Sequence, residues 1–295
     1  MSGAYPIGQR IRQLFGAPSV FAWGIDYSFG SGLTVAQMQA NKVQFVCRYL
    51  SGGLILGGHG KDIQATELAN ILNGGISVVL NWESSGQELG FIAGQRDAIA
   101  AEAEVVALAA QVAPNLHAAF TLSEAPIIFS PWDANPAGMT SGINDYMRGA
   151  ASVRGHDRVG LYQGLPAIKA YFDAGIGKYG WQTYAWSGGV WDPRAQLQQY
   201  QNGVTMGPAD VDRDRAMAAD YGQILATAPK PPPPPPPKPI GPFRHVLKPG
   251  QTITTFASSR NTSALNMLAR SIPLWTAADK ALIVAGQMVV YTVNP

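Results

Sequence analysis

Four short apolar segments of this 295-residue chain each run into an acidic residue: Trp23-Gly24-Ile25-Asp26, Val78-Val79-Leu80-Asn81-Trp82-Glu83, Ile127-Ile128-Phe129-Ser130-Pro131-Trp132-Asp133 and Ala209-Asp210-Val211-Asp212. Carboxylates at the carboxyl ends of successive buried strands are how a β/α barrel builds an active site. Asp26, Glu83, Asp133 and Asp212 are therefore the candidate catalytic groups. Two carboxyls facing across a cleft suit glycosidic hydrolysis, in which one protonates the leaving oxygen and the other serves as base or nucleophile. The acid must keep its proton near neutral pH, and the apolar neighbours Trp82 and Trp132 favour that by disfavouring the anion. Trp181, Tyr184, Trp186 and Trp191 offer ring faces on which sugars stack. A single acid at a strand end more often caps a helix or holds a loop. Four at one expected rim make catalysis the stronger reading of the set.

Other chemistries lack their residues. His59, His117, His156 and His245 are far apart and show no metal-ligand spacing. No Gly-x-Ser-x-Gly elbow is present, and no glycine-rich phosphate loop follows a strand pattern. Asp210, Asp212 and Asp214 alternate without the Gly and distant Glu of a calcium loop, so the alternation reads as one face of a strand. No cofactor and no metal are expected. Cys47, the only cysteine, lies in an apolar strand pattern and reads as a buried, inert thiol.

The carboxylates need a scaffold, and strand and helix signals alternate to supply it. Strand patterns end at Asp26 and span Val43–Tyr49, Ile76–Leu80, Ile127–Phe129 and Val159–Tyr162. Helical patterns span Leu33–Met38, Ile63–Leu72, Ile92–Val112, Ile143–Ala150 and Pro166–Ala174. Trp181–Trp186, Gln196–Tyr200 and Val211 supply three more extended segments. Eight strands alternating first with helices and later with loops predict an α/β fold, a (β/α)8 TIM-like barrel irregular in its last third. Residues 1–20 form an N-terminal arm that caps the bottom of the barrel or docks on a partner, and the barrel itself spans 21–228.

Pro229-Lys230, Pro231 through Pro237 and Lys238-Pro239 mark the clearest boundary. Proline lacks a donor and fixes φ, so 229–242 predicts a polyproline II rod of roughly 40 Å at about 3.1 Å per residue. After it, 243–295 reads as a small β-α-α-β domain: a strand over Arg244–Leu247, helices over Thr252–Ser259 and Ser263–Arg270, and a strand over Met288–Val293. Charge is uneven across the boundary. Residues 1–229 hold 14 Lys+Arg and 18 Asp+Glu, a net −4, whereas 230–295 hold seven Lys+Arg and one acid, Asp279, a net +6. The basic end either favours an anionic surface or keeps a small module soluble. No stretch is long and apolar enough to insert in a membrane, and nothing points to nucleic acid. Met1-Ser2-Gly3-Ala4-Tyr5-Pro6 lacks the basic start and apolar run of a signal peptide, so synthesis in a cytoplasm is expected.

Gly24-Ile25-Asp26-Tyr27-Ser28, Phe45 through Ser51, Arg158 through Tyr162, Trp181 through Trp186, and Gln199-Tyr200 through Asp210-Val211-Asp212 together resemble a glycoside-hydrolase-like TIM-barrel domain of unknown function. That domain is found in actinobacterial exported proteins and their phages, and is similar to family-25 lysozymes, which cut peptidoglycan glycan strands. The resemblance covers about residues 20–225. It implies a catalytic role for Asp26 and Asp212 and substrate contacts from Tyr162, Trp181, Gln182, Tyr184, Trp186 and Gln199. It also implies paired acids ending strand four. Here Ser130-Pro131-Trp132-Asp133 holds only one, so Asp133 stands for the proton donor and Glu83 is the candidate substitute for its missing partner. His245 through Ile253, Phe256-Ala257 and Gly286 through Val290 resemble a divergent LysM module, which binds N-acetylglucosamine polymers. Together these likenesses imply a bacteriophage virion (minor tail) protein that engages host cell-wall peptidoglycan alongside other phage tail proteins. The alternatives are a muramidase-like endolysin and a catalytically inactive glycan-binding or structural tail component.

Overall fold

The computed structural model describes residues 20–29, 32–52, 60–112, 122–225, 243–247, 253, 271 and 289–292. Eight strands close into a barrel in chain order: β1 (Ala22–Asp26), β2 (Phe45–Leu50), β3 (Ser77–Trp82), β4 (Ile127–Phe129), β5 (Val159–Gln163), β6 (Tyr179–Thr183), β7 (Leu197–Met206) and β8 (Ala209–Ala216). Strands β1 to β7 run parallel, and β8 is antiparallel to both β7 and β1. The reversal has a local cause. Met206 pairs with Ala209 across the two-residue turn Gly207-Pro208, with Gly207 at φ 57, the positive angle a tight hairpin needs at its first central position.

Among the described residues five helices cover the outside: α1 (Val35–Ala40), α2 (Ala65–Asn73), α3 (Phe91–Val112), α4 (Thr140–Arg154) and α5 (Leu165–Asp173). Helix α1 starts at a reciprocal cap between Thr34 and Gln37. Helices α3 and α4 touch backbone to backbone. A Cβ on Gly94 would lie 1.8 Å from the Tyr146 carbonyl oxygen, and one on Gly149 would lie 2.0 Å from that of Phe91, so only glycine fits at either place. Buried Arg48 binds both carboxylate oxygens of Glu67, at 2.7 and 3.1 Å, and pins α2 to β2. No helix follows β6, β7 or β8 before residue 226, which is where the irregular last third was expected.

Alternate residues of each strand fill the interior. Ala22, Phe45, Cys47, Val79, Ile128, Trp181, Leu197 and Ala216 form one packed cluster with Tyr221. Tyr221 follows β8 and stacks 4.9 Å from Phe45 at the amino end of β2, while Ile224 exchanges backbone hydrogen bonds with Val78. This returning segment closes the bottom of the barrel. The arm, residues 1–19, and the proline run lie outside the described residues. Of the C-terminal region, β9 (Phe243–Val246) and β10 (Val289–Thr292) form an antiparallel pair; the two expected helices lie outside the described residues. Among the described residues no helix is long and apolar enough to cross a membrane, and no group of three or more His, Cys, Asp or Glu side chains is arranged to hold a metal ion.

Candidate active site

Asp26 ends β1 and points into the barrel at the carboxyl mouth of the parallel strands. Asp212 sits directly opposite in the β1–β8 ladder. It does not end a strand, as the sequence pattern suggested. It lies mid-way along β8 and reaches the mouth because that strand is reversed. Two residues on, Asp214 faces inward one layer deeper, opposite Gly24.

Gln199 of β7 ties the acids together. Its Nε2 donates to Asp26 Oδ2 and to Asp212 Oδ2, both at 2.9 Å, which keeps those two oxygens less than about 6 Å apart. Its Oε1 accepts from the Tyr162 hydroxyl at 2.8 Å. The Gln199 amide is thus fully engaged and buried, and its work is to orient carboxylates rather than to contact a ligand. Tyr49 donates to Asp26 Oδ1 at 3.4 Å, and Trp181 Nε1 donates to Asp214 Oδ1 at 2.8 Å. Asp212 Oδ1 accepts from the Gly203 amide at 2.8 Å.

Burial, then the charge of Asp212, pushes the Asp26 carboxyl from 3.8 up to about 7, against the opposing hydrogen bonds of Gln199, Asp214 and Tyr49. Asp214 is wholly buried, and burial followed by the Asp26 charge raises it well above the carboxylate range. As anions the two buried carboxyls repel each other, so the pair holds a proton that isolated carboxylates would release. Burial also raises Asp212, while the Gly203 amide lowers it. Of the three, Asp212 alone is half-buried and open to a ligand.

The other expected residues are distributed differently. Glu83 follows β3 at the mouth, but its carboxylate pairs with Lys61, whose ammonium also lies 5.6 Å from the Tyr49 ring centroid. Asp133 is exposed on the rim, four residues past β4, where its amide donates to the Gly86 carbonyl at 2.7 Å. The inward position at the end of β4 is taken by Ser130, whose hydroxyl donates to Asn81 Oδ1 at 3.0 Å. Trp181 is wholly buried beneath the site and presents no face for a sugar. Gln182 is also wholly buried. Its Nε2 donates to Ser187 Oγ and the Val190 carbonyl, and its Oε1 accepts from the Asp192 amide, each at 2.8 Å, so it braces the loop over 184–192. Trp191 leaves the expected groove altogether and packs against Arg215 on the outer face of the sheet. Tyr162, Trp186 and Tyr184 remain accessible, with the Tyr162 and Trp186 rings edge-on at 6.3 Å.

Three residues at the mouth escaped sequence reasoning: Asp214, Tyr49 and Asn81. The Asp210-Asp212-Asp214 alternation was the available signal for the first. Nothing in the chain distinguishes the other two from ordinary strand residues.

A closed barrel with convergent acids at its carboxyl mouth defines a glycoside-hydrolase-like domain. The Rv2525c-like, glycoside hydrolase-like domain family matches residues 36–216, more than half of the chain, and the chain belongs to that family. Over 210 residues it is 27% identical to Rv2525c of Mycobacterium tuberculosis (strain ATCC 25618 / H37Rv), which is named as a candidate peptidoglycan hydrolase; the match covers 68% of this chain and 82% of the relative. The crystal structure of that Tat-secreted protein in complex with L-tartrate superposes with a TM-score of 0.57 at 27% identity, over 68% of this chain and 98% of the other. A second crystal form, in complex with HEPES, gives the same figures.

Proposed function

We propose that the barrel holds a glycan strand of bacterial cell-wall peptidoglycan across its mouth and hydrolyses a glycosidic bond there. The observation that carries this reading is the Gln199 amide holding Asp26 and Asp212 together at one rim. Asp26, raised to about 7 and adjoining the half-buried Asp212, is the acid we assign to proton transfer. Asp212 meets the sugar and stabilises the positive charge that develops on the ring as the bond breaks. Tyr162, Tyr184 and Trp186 supply accessible aromatic surface beside them. The name of the mycobacterial relative supports peptidoglycan as the substrate class. Purified protein is expected to release reducing ends from actinobacterial cell walls, and Asp26→Asn and Asp212→Asn to abolish the release. Release undiminished in both variants would overturn these roles.

One observation favours a second reading. Ser130 occupies the inward end of β4, where the resemblance implies an acid. A barrel lacking that group binds wall glycan without cutting it. Wall pull-down that survives Asp26→Asn, with no reducing ends from the parent protein, would select this reading.

The setting we propose is a bacteriophage virion, with the protein made in the host cytoplasm, attached to other tail proteins and acting at the host wall. The proline spacer and the LysM-like C-terminal segment support a wall-directed, multi-part protein; an endolysin is the alternative. Detection of the chain in purified virions would favour the tail, and its release only at lysis the endolysin.

A further inference from the structure

In a β/α barrel the outer faces of the strands lie under helices and carry branched apolar residues. Here β7, β8 and β1 are joined by a hairpin and antiparallel pairing, and among the described residues no helix lies over part of their outer face. Its residues are not those of a core. Trp23, Arg215 and Gln198 lie side by side across the three strands. Trp23 is 45% exposed, and its ring meets Tyr200 edge-on at 5.7 Å. The Arg215 guanidinium lies 5.4 Å from the Tyr200 ring centroid and 5.6 Å from that of Trp191. Its Nε donates to Gln198 Oε1 at 2.8 Å, and among the described residues its two Nη groups have no acceptor. Beside this row lies a cavity of about 230 Å³ whose lining includes Trp23, Tyr200, Lys42 and Arg213 and no acid. Lys42, Arg213 and Arg215 form no ion pair among the described residues.

We propose that this face of β7, β8 and β1, where Trp23 and Tyr200 adjoin Lys42, Arg213 and Arg215, binds a polysaccharide bearing carboxylate groups. Three cations without an ion-pair partner among the described residues stand together on this face, and their complement is an anion. Arg215 is held in place by Gln198 and two rings, which leaves its Nη edge set for bidentate contact with a carboxylate. The exposed Trp23 ring offers the apolar face that a pyranose ring covers. This face is separate from the mouth, and the proposal does not depend on hydrolysis there.

The test is calorimetric titration of the full chain with oligogalacturonate, a carboxylated glycan, and with a cellulose oligosaccharide of equal length as the neutral probe. Binding of the carboxylated probe is expected to exceed that of the neutral one by tenfold or more and to weaken as salt is raised. Trp23→Ala and Arg213→Glu are each expected to weaken it at least tenfold while near-ultraviolet circular dichroism is unchanged, and Asp26→Asn is expected to leave it unchanged. Arg213 is exposed, so its variant remains informative if Trp23→Ala does not fold. No binding by the parent chain, equal binding by parent and Arg213→Glu, or tighter binding of duplex DNA would each overturn the proposal. So would a dimer in sedimentation that Arg213→Glu dissociates.

Discussion

Trp181 Nε1 donates to Asp214 Oδ1 at 2.8 Å in the barrel interior, where neither side chain touches water. This bond anchors the lowest of the three acids. Asp214→Asn keeps an acceptor for Trp181, and is expected to change stability by less than about 1 kcal/mol. Asp214→Ala orphans a buried indole N–H and opens a cavity, and is expected to cost about 2–4 kcal/mol. Urea denaturation of the two variants measures the contrast.

Gln199→Leu removes the hydrogen bond that holds the Asp26 carboxyl down. The Asp26 carboxyl is then expected to titrate above its parent value of about 7, keeping its proton to higher pH. Carbon NMR titration of labelled aspartate reads the shift directly. If Asp26 is the proton donor, the alkaline limb of the wall-hydrolysis profile moves upward with it.

Glu104 of α3 is buried against Asp62, and its Oε2 accepts from the Gly52 amide at 2.7 Å. Burial, then the neighbouring Asp62, raises its carboxyl from 4.5 to about 9. Between those values the folded chain keeps a proton that the unfolded chain has released. Stability is therefore expected to fall as pH rises through that window, by up to about 1.4 kcal/mol per pH unit for this one group. Glu104→Gln keeps an acceptor for the Gly52 amide without the titrating proton. Its melting temperature is expected to change less between pH 5 and pH 8 than the parent's, and equal slopes would refute the assignment.

Gln182→Ala removes three hydrogen bonds from the loop that carries Trp186. A loss of about 2–3 kcal/mol is expected, since a buried amide and a carbonyl lose their partner. Hydrogen exchange at the Asp192 amide is expected to accelerate while the β3 and β4 amides stay protected.

Much of the frame was legible in the chain. The strands ending at Asp26 and Phe129 and the helix over 91–112 follow from apolar runs, their period and their stops, which are properties of neighbouring residues. The Gly207-Pro208 turn is also written locally, but its consequence is not: the turn reverses β8, and reversal changes which end of that strand meets the mouth. Glu83 reads as a free acid because its partner, Lys61, lies 22 residues away on another loop.

What the sequence alone determined is that the chain alternates strands with helices, places acids at several strand ends and carries a run of prolines. Tertiary structure decided which of those acids meet. Asp26 and Asp212 are 186 positions apart and oppose each other only because the ring closes β8 onto β1. Register sends Asp214 inward and leaves Asp133 on the rim. The carboxyl of Asp26 stands near 7 because of burial and a neighbouring charge, both of which depend on distance through space rather than along the chain.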